Sequence, residues 1–139
     1  MIFVDANVFI YAFMAPRRSL KEHEKNIKDG AREIIERIEN GEKVVTSLVH
    51  LSEVSNVLEN VMKIEQLVEL LRSILEKENM LVMDCGADTY LLALDLAVDY
   101  GIGPNDALAL VIMGQLGISR VYSFDSHFRG IDGVERVTR

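Results

Sequence analysis

Residues 1–10, MIFVDANVFI, decide how the rest of the chain reads. An apolar run of four ends abruptly at Asp5, Asn7 follows, and apolar sequence resumes at Val8. A short, wholly apolar run suits a strand covered on both faces, as in parallel sheets. Ligands of such sheets bind beyond the carboxyl ends of the strands, which is where Asp5 falls. No Lys or Arg precedes Arg17, so nothing nearby in sequence neutralises it.

Working outward, the same pairing of short apolar run and helical pattern recurs. Residues 7–14 have helical spacing and Pro16–Ser19 break it. From about Leu20 to Glu39 a charged helix carries Ile27, Ala31, Ile34, Ile35 and Ile38 on one stripe, stopped by Asn40-Gly41. KVVTS (43–47) is a second strand, and Ser47 suits a helix N-cap. The next stripe runs Leu48, Leu51, Val54, Ser55, Leu58, Val61. Residues 63–78 continue through Ile64, Leu67, Leu71 and Leu75. MLVMD (80–84) is a third strand; 87–100 is a helix closed by Gly101; Pro104 opens another. That last helix, ALALVIMGQLG (107–117), is apolar nearly all round and is expected to be central and buried. RVYSF (120–124) is a fourth strand, with a fifth expected at VERVT (134–138). Strands alternating with helices predict a three-layer α/β/α domain, residues 1–139, around a mostly parallel sheet of four to five strands.

The composition, 49% hydrophobic with 2 Pro, is that of a globular chain. The amino terminus lacks the basic segment of a signal peptide, and no apolar stretch approaches the roughly 18 residues of a membrane span. A single Cys, Cys85, excludes an internal disulfide and suits a reducing cytoplasm. Net charge is −7, which by itself disfavours a nucleic-acid binder. The distribution changes that reading. Residues 17–43 hold 8 of the 15 Lys and Arg, and 44–106 hold 11 acids against Lys63, Arg72 and Lys77. Arg17, Arg18, Lys21 and Lys25 are weak candidates for phosphate contacts, since such clusters are usually solvated surface.

Four acids stand out, each with an ordinary use. Asp5 is a natural cap for the helix after it. Glu53 lies one residue off its apolar stripe, as a surface Glu does. Asp106 sits in a first helical turn, where an acid offsets the helix dipole, but ahead of a helix too apolar to be exposed. Asp125 follows a strand, as turn aspartates do. Together they gather at one edge of the expected sheet with no basic partner. Carboxylates so placed repel one another unless a cation sits among them, and the cation for an all-oxygen site is Mg²⁺ or Mn²⁺. Such ions supply activated water and leaving-group stabilisation for phosphodiester hydrolysis.

VDANVFI, TSLVHLSEV, NDALAL and VYSFDSHF, in that order, resemble the four acidic motifs of the PIN domain family, across essentially the whole chain. The resemblance implies a Mg²⁺/Mn²⁺-dependent ribonuclease in which Asp5, Glu53, Asp106 and Asp125 hold the metal, with Asn7 and Ser47 at supporting polar positions. So small a chain is similar to VapC-type toxins. That implies an RNA substrate, a homodimer, and an antitoxin whose tail enters the acidic site. Ser126-His127 stands where many members have Lys-Asp, so His127 is not expected to be an essential ligand. His50 is expected to be structural.

The rivals are an RNA-processing PIN nuclease that is no toxin, and a binding module that sequesters RNA or protein without cutting. An aspartyl-phosphate phosphatase wants D-x-D and a placed Lys, whereas the chain has Asp5-Ala6-Asn7 and no base between Lys77 and Arg120. Gly101-Ile102-Gly103 lacks the third glycine and the preceding strand of a dinucleotide site.

Overall fold

The computed structural model describes residues 1–16 and 18–139. Arg17, one of the weak phosphate-contact candidates, lies outside the described residues. In chain order the elements are β1 (Ile2–Val4), α1 (Ala6–Phe13), α2 (Glu22–Glu39), β2 (Val44–Ser47), α3 (Leu48–Leu58) and α4 (Ile64–Leu75). Then follow β3 (Met80–Met83), α5 (Ala87–Tyr100), α6 (Pro104–Leu116), β4 (Arg120–Tyr122), a 3₁₀ turn (Ser126–Phe128) and β5 (Glu135–Val137).

The sheet has five strands in the order β3-β2-β1-β4-β5, every neighbouring pair parallel. Phe3 lies between Val45 and Val121 in register, and Val4 lies opposite Tyr122. Side chains alternate across it, as the pleat requires. Ile2, Val4, Val44 and Tyr122 pack with residues of α1–α4 such as Ile34, Leu51 and Val54. Phe3, Val45 and Val121 face the other way, onto Ala93, Leu108 and Ile112 of α5 and α6. This is the three-layer α/β/α arrangement. The chain adds strands to one side of β1 and then crosses to place β4 on its other side. That crossing makes a switch point at the carboxyl ends of β1 and β4.

Local signals explain the boundaries. The Ser47 hydroxyl accepts from the His50 amide and caps α3. Gly101 takes a left-handed conformation, φ 65°, that a residue with a Cβ adopts reluctantly, and so closes α5. Pro104 opens α6. Inside the sheet the Thr46 hydroxyl donates to the Val4 carbonyl at 2.8 Å, tying β2 to β1.

Two expectations need correction. On α4, Leu67 and Ile74 are the buried residues, while Ile64 and Leu75 are exposed. The stripe is rotated because that helix offers two apolar phases and only one meets the core. On α6, Ala107, Leu108, Ala109, Ile112 and Met113 are buried but Leu116 is exposed, so the helix lies against the sheet without being enclosed. No single helix among the described residues is long and apolar enough to cross a membrane. α5 and α6 pass that test only when joined, and they bend by 111° at their junction.

Candidate metal centre

β1 ends at Asp5, which does two things at once. Its Oδ1 accepts from the Ala6 amide at 2.8 Å, capping α1, and its Oδ2 accepts from the Ser123 hydroxyl at 2.7 Å. Its side chain is nearly all buried. β4 leads through Ser123 and Phe124 to Asp125, whose Oδ1 accepts from the His127 amide at 2.9 Å and caps the 3₁₀ turn. Asp106 occupies the first turn of α6. Glu53 projects from α3, which starts directly after β2. All four acids, with Asn7, Ile10, Val57 and Asn105, line one open cavity of about 320 Å³. Glu53 and Asn105 also border an adjoining cavity of about 450 Å³ that reaches Tyr90.

The tightest grouping is Asp106, Asp125 and His127, whose potential ligand atoms lie within 4.8 Å of one another. His127 Nδ1 is 3.1 Å from Asp125 Oδ1 and 3.4 Å from Asp106 Oδ2. The imidazole is half exposed, so it lies over the acids without being built in. Asp5 and Glu53 share the cavity but stand outside that trio.

The electrostatics match the crowding. Burial, offset in part by the Ser123 and Ala6 donors, pushes the Asp5 carboxyl up to about 6, with Asp125 adding repulsion. Burial, then the charges of Asp5 and Asp125, push Asp106 up to about 7. Both carboxyls are strained toward the protonated form, and a divalent cation relieves that strain while keeping them ionised. Carboxylate oxygens, with an amide and a hydroxyl nearby, are the donor set of a hard cation, so the residues fit Mg²⁺ or Mn²⁺.

The supporting residues divide unexpectedly. Asn7 holds the β4 loop: its Oδ1 accepts from the Phe124 amide at 3.2 Å and its Nδ2 donates to Ser123 Oγ at 3.4 Å. Ser47 touches no acid. It caps α3 and lies 2.6 Å from His50 Nδ1, reaching Asp5 only through that ring. Ser123, which sequence reasoning gave no role, links three parts of the site. It donates to Asp5 and accepts from the Asp125 amide at 3.0 Å as well as from Asn7. A hydroxyl at the end of a buried strand, two residues before an acid, was the available signal. Asn105 was also missed. It accepts from the Tyr90 hydroxyl at 2.6 Å, which braces the start of α6 against α5.

The chain belongs to the PIN domain family, whose pattern it matches over residues 2–134. Its fold is similar to that of VapC20 of Mycobacterium tuberculosis, described as a sarcin-ricin loop cleaving toxin. The two are 20% identical, each is 90% covered, and the TM-score is 0.69. It is also similar to a chain of a toxin–antitoxin complex from Klebsiella pneumoniae, at 17% identity, covering 97% of this chain and 96% of that one, with TM-score 0.66. A third is a chain of VapBC2 from Rickettsia felis bound to a promoter DNA fragment, at 19% identity, 99% of both chains and TM-score 0.64. No curated protein sequence matches the chain.

Proposed function

We propose that this PIN domain is a Mg²⁺- or Mn²⁺-dependent endoribonuclease, the toxin of a toxin–antitoxin pair. The observation that carries the reading is the meeting of Asp5, Glu53, Asp106 and Asp125 on one cavity at the switch point of the sheet. When bound there, a divalent ion supplies an activated water and a stabilised leaving oxygen for in-line attack on an RNA phosphate. Asp5, Asp106 and Asp125 are its proposed holders, with Glu53 facing them from α3. Ser123 and the Ala6 amide fix both oxygens of Asp5, so its carboxylate keeps one orientation. Asn7 keeps the Asp125 loop in place. Val57 and Ile10 give the cavity apolar walls beside the acids. The His127 ring lies over Asp106 and Asp125, with Nδ1 3.4 and 3.1 Å from their oxygens.

The toxin assignment draws on the similar folds of VapC20 and of the two toxin–antitoxin complexes. It brings with it an antitoxin partner, a cytoplasmic site of action and a homodimer. Leu91, Leu94 and Val98 are exposed apolar residues on one side of α5 and offer a face for the second copy.

Purified protein incubated with a total RNA pool tests the nuclease. Cutting with Mn²⁺ and none with EDTA supports it. No cutting under either condition, in protein that binds Mn²⁺, counts for the sequestering module instead.

A further inference from the structure

Beside the acidic cavity, past Phe124, runs a second groove of about 280 Å³ lined by Asn26, Phe124, Arg129, Arg136, Thr138 and Arg139. Arg139 is already engaged, its guanidinium donating to both carboxylate oxygens of Glu33 at 2.7 and 3.0 Å. Arg129 and Arg136 are not: neither forms an ion pair or side-chain hydrogen bond among the described residues. They come from different elements, Arg129 following the 3₁₀ turn and Arg136 lying on β5. They are close enough to act on each other. Burial and the Arg129 charge weaken Arg136's hold on its proton, while Asp125 acts in the opposite sense. Two guanidinium groups held together without an acid mirror the carboxylates next door. The acids call for a cation, and the arginines call for an anion.

Geometry says which anion. Phe124, which lines the groove, is the chain neighbour of Asp125, which lines the acidic cavity, so a strand leaving the acids past Asp125 runs toward the arginines. Phe124 lines the groove and meets Tyr11 edge-on at 5.6 Å, putting aromatic surface beside the arginines. Cations that track a backbone beside aromatic rings are the usual means of holding single-stranded nucleic acid. Two basic residues near the α2 end, Arg18 and Lys28, are already engaged. Arg18 is paired with Glu24 at 2.9 Å, and Lys28 donates to the Tyr11 and Met14 carbonyls.

We infer that Arg129 and Arg136 form a phosphate-binding subsite for the RNA strand on the Asp125 side of the metal centre. This rests on the ribonuclease reading of the acidic cavity. The subsite takes the phosphodiester flanking the scissile one and sets the direction in which RNA crosses the sheet edge.

The test measures binding separately from cutting. A fluorescein-labelled single-stranded 20-mer RNA of random sequence is titrated by anisotropy with full-length Asp5→Asn protein in Mn²⁺, over a range of KCl. In that background Arg129→Gln and Arg136→Gln each weaken binding roughly three- to tenfold. The double variant lowers the salt slope by about 0.7, since the subsite holds one single-strand phosphate and losing one such contact removes about 0.7. Arg136→Lys keeps most of the affinity. Arg72→Gln, the same charge change on α4, has no effect. Unchanged affinity and slope in the double variant, or an equal loss in Arg72→Gln, overturns the inference. So does tighter Arg129- and Arg136-dependent binding of poly-L-glutamate, which would assign the groove to an acidic protein segment, and so does the absence of RNA binding. The two readings fail differently. Arginine-dependent binding without Mn²⁺-dependent cutting by the wild type removes the nuclease and keeps an RNA-binding surface. Cutting with arginine-independent binding removes the subsite alone.

Discussion

His50 directs Nε2 at Asp5 Oδ1 across 3.9 Å, with both side chains almost completely buried. That nitrogen is the one buried side-chain polar atom without a hydrogen-bond partner among the described residues. Ser47 Oγ already accepts from the His50 amide, and its own proton is best used on Nδ1. This assigns the ring proton to Nε2, which lies beyond hydrogen-bond distance of Asp5 and is also influenced by the Asn105 backbone. Burial lowers the imidazole to about 4, so at neutral pH it is an uncharged donor.

His50→Phe keeps the ring volume and its edge contact with Phe3, now at 5.0 Å, but removes that donor. Mn²⁺ binding should weaken by about tenfold, the lower end of what removing a group behind a metal ligand does. Stability should fall by only about 1 kcal/mol, for the Ser47 hydrogen bond. Calorimetric Mn²⁺ titration beside urea unfolding checks both. Unchanged Mn²⁺ affinity would return His50 to the purely structural part expected from sequence.

Asp106→Asn separates stability from function. In EDTA at pH 8 it removes a partly buried charge that faces Asp5 and Asp125. The metal-free protein should gain on the order of 1 kcal/mol, after allowance for solvent screening at a site that is not fully enclosed. The same variant should lose its thermal response to Mn²⁺. His127→Ala should keep that response, since the exposed ring only overlies the acids. A variant that destabilises the metal-free protein would contradict the repulsion argument.

The pH dependence follows from the same groups. Asp5 and Asp106 hold protons to about 6 and about 7 in the folded chain, above their unfolded values near 4. Between those values the folded state binds more protons, so these acids reduce metal-free stability as pH rises. His50 acts oppositely: its folded value of about 4 lies below its unfolded value, so its contribution grows from about pH 4 to 6.5. Above pH 6.5 only Asp106 still titrates among the three, and metal-free stability should decline toward pH 8. Mn²⁺ must displace those protons, so its affinity should climb between pH 5.5 and 7.5, by up to about tenfold per unit for each proton displaced. Melting curves with Mn²⁺ and with EDTA across that range measure the widening gap.

Much of the frame was legible because its signals are local. Apolar runs marked the strands, while Ser47, Gly101 and Pro104 marked helix ends by backbone chemistry that needs no tertiary partner. The α4 phase was not legible, since Leu67 and Ile74 are distinguished from Ile64 and Leu75 only by what packs against them. That the four acids meet at one edge of the sheet was legible from their type and position. Ser123 was not, because its partner Asp5 is 118 residues away, and a serine beside an aspartate reads as turn chemistry. Arg129 and Arg136 were overlooked for the same reason, being joined only by the fold. Helical spacing in α1 likewise does not separate Phe9, which is core, from Tyr11 and Phe13, which are exposed.

Gly30 is a further position that only packing explains. It is buried in α2 against the C-terminal segment, where an added methyl would collide with the Thr138 carbonyl. Gly30→Ala should therefore destabilise by about 1–3 kcal/mol, although alanine is favoured in helices by about 1 kcal/mol. Urea unfolding reads the sign directly, and a more stable variant would show that α2 and the C-terminal segment separate easily.

The central claim is that the four acids act as one metal-dependent hydrolytic site, and Asp5→Asn tests it most directly. The single oxygen of asparagine can keep the α1 cap, with its NH₂ group turned to Ser123 Oγ in place of the oxygen that accepted from it, so the fold should persist with a modest fall in melting temperature. Single-turnover RNA cleavage in Mn²⁺ should fall by at least about 10³-fold relative to wild type, on the scale of losing a principal electrostatic element of a site. A folded Asp5→Asn protein that cuts RNA at the wild-type rate would contradict the account.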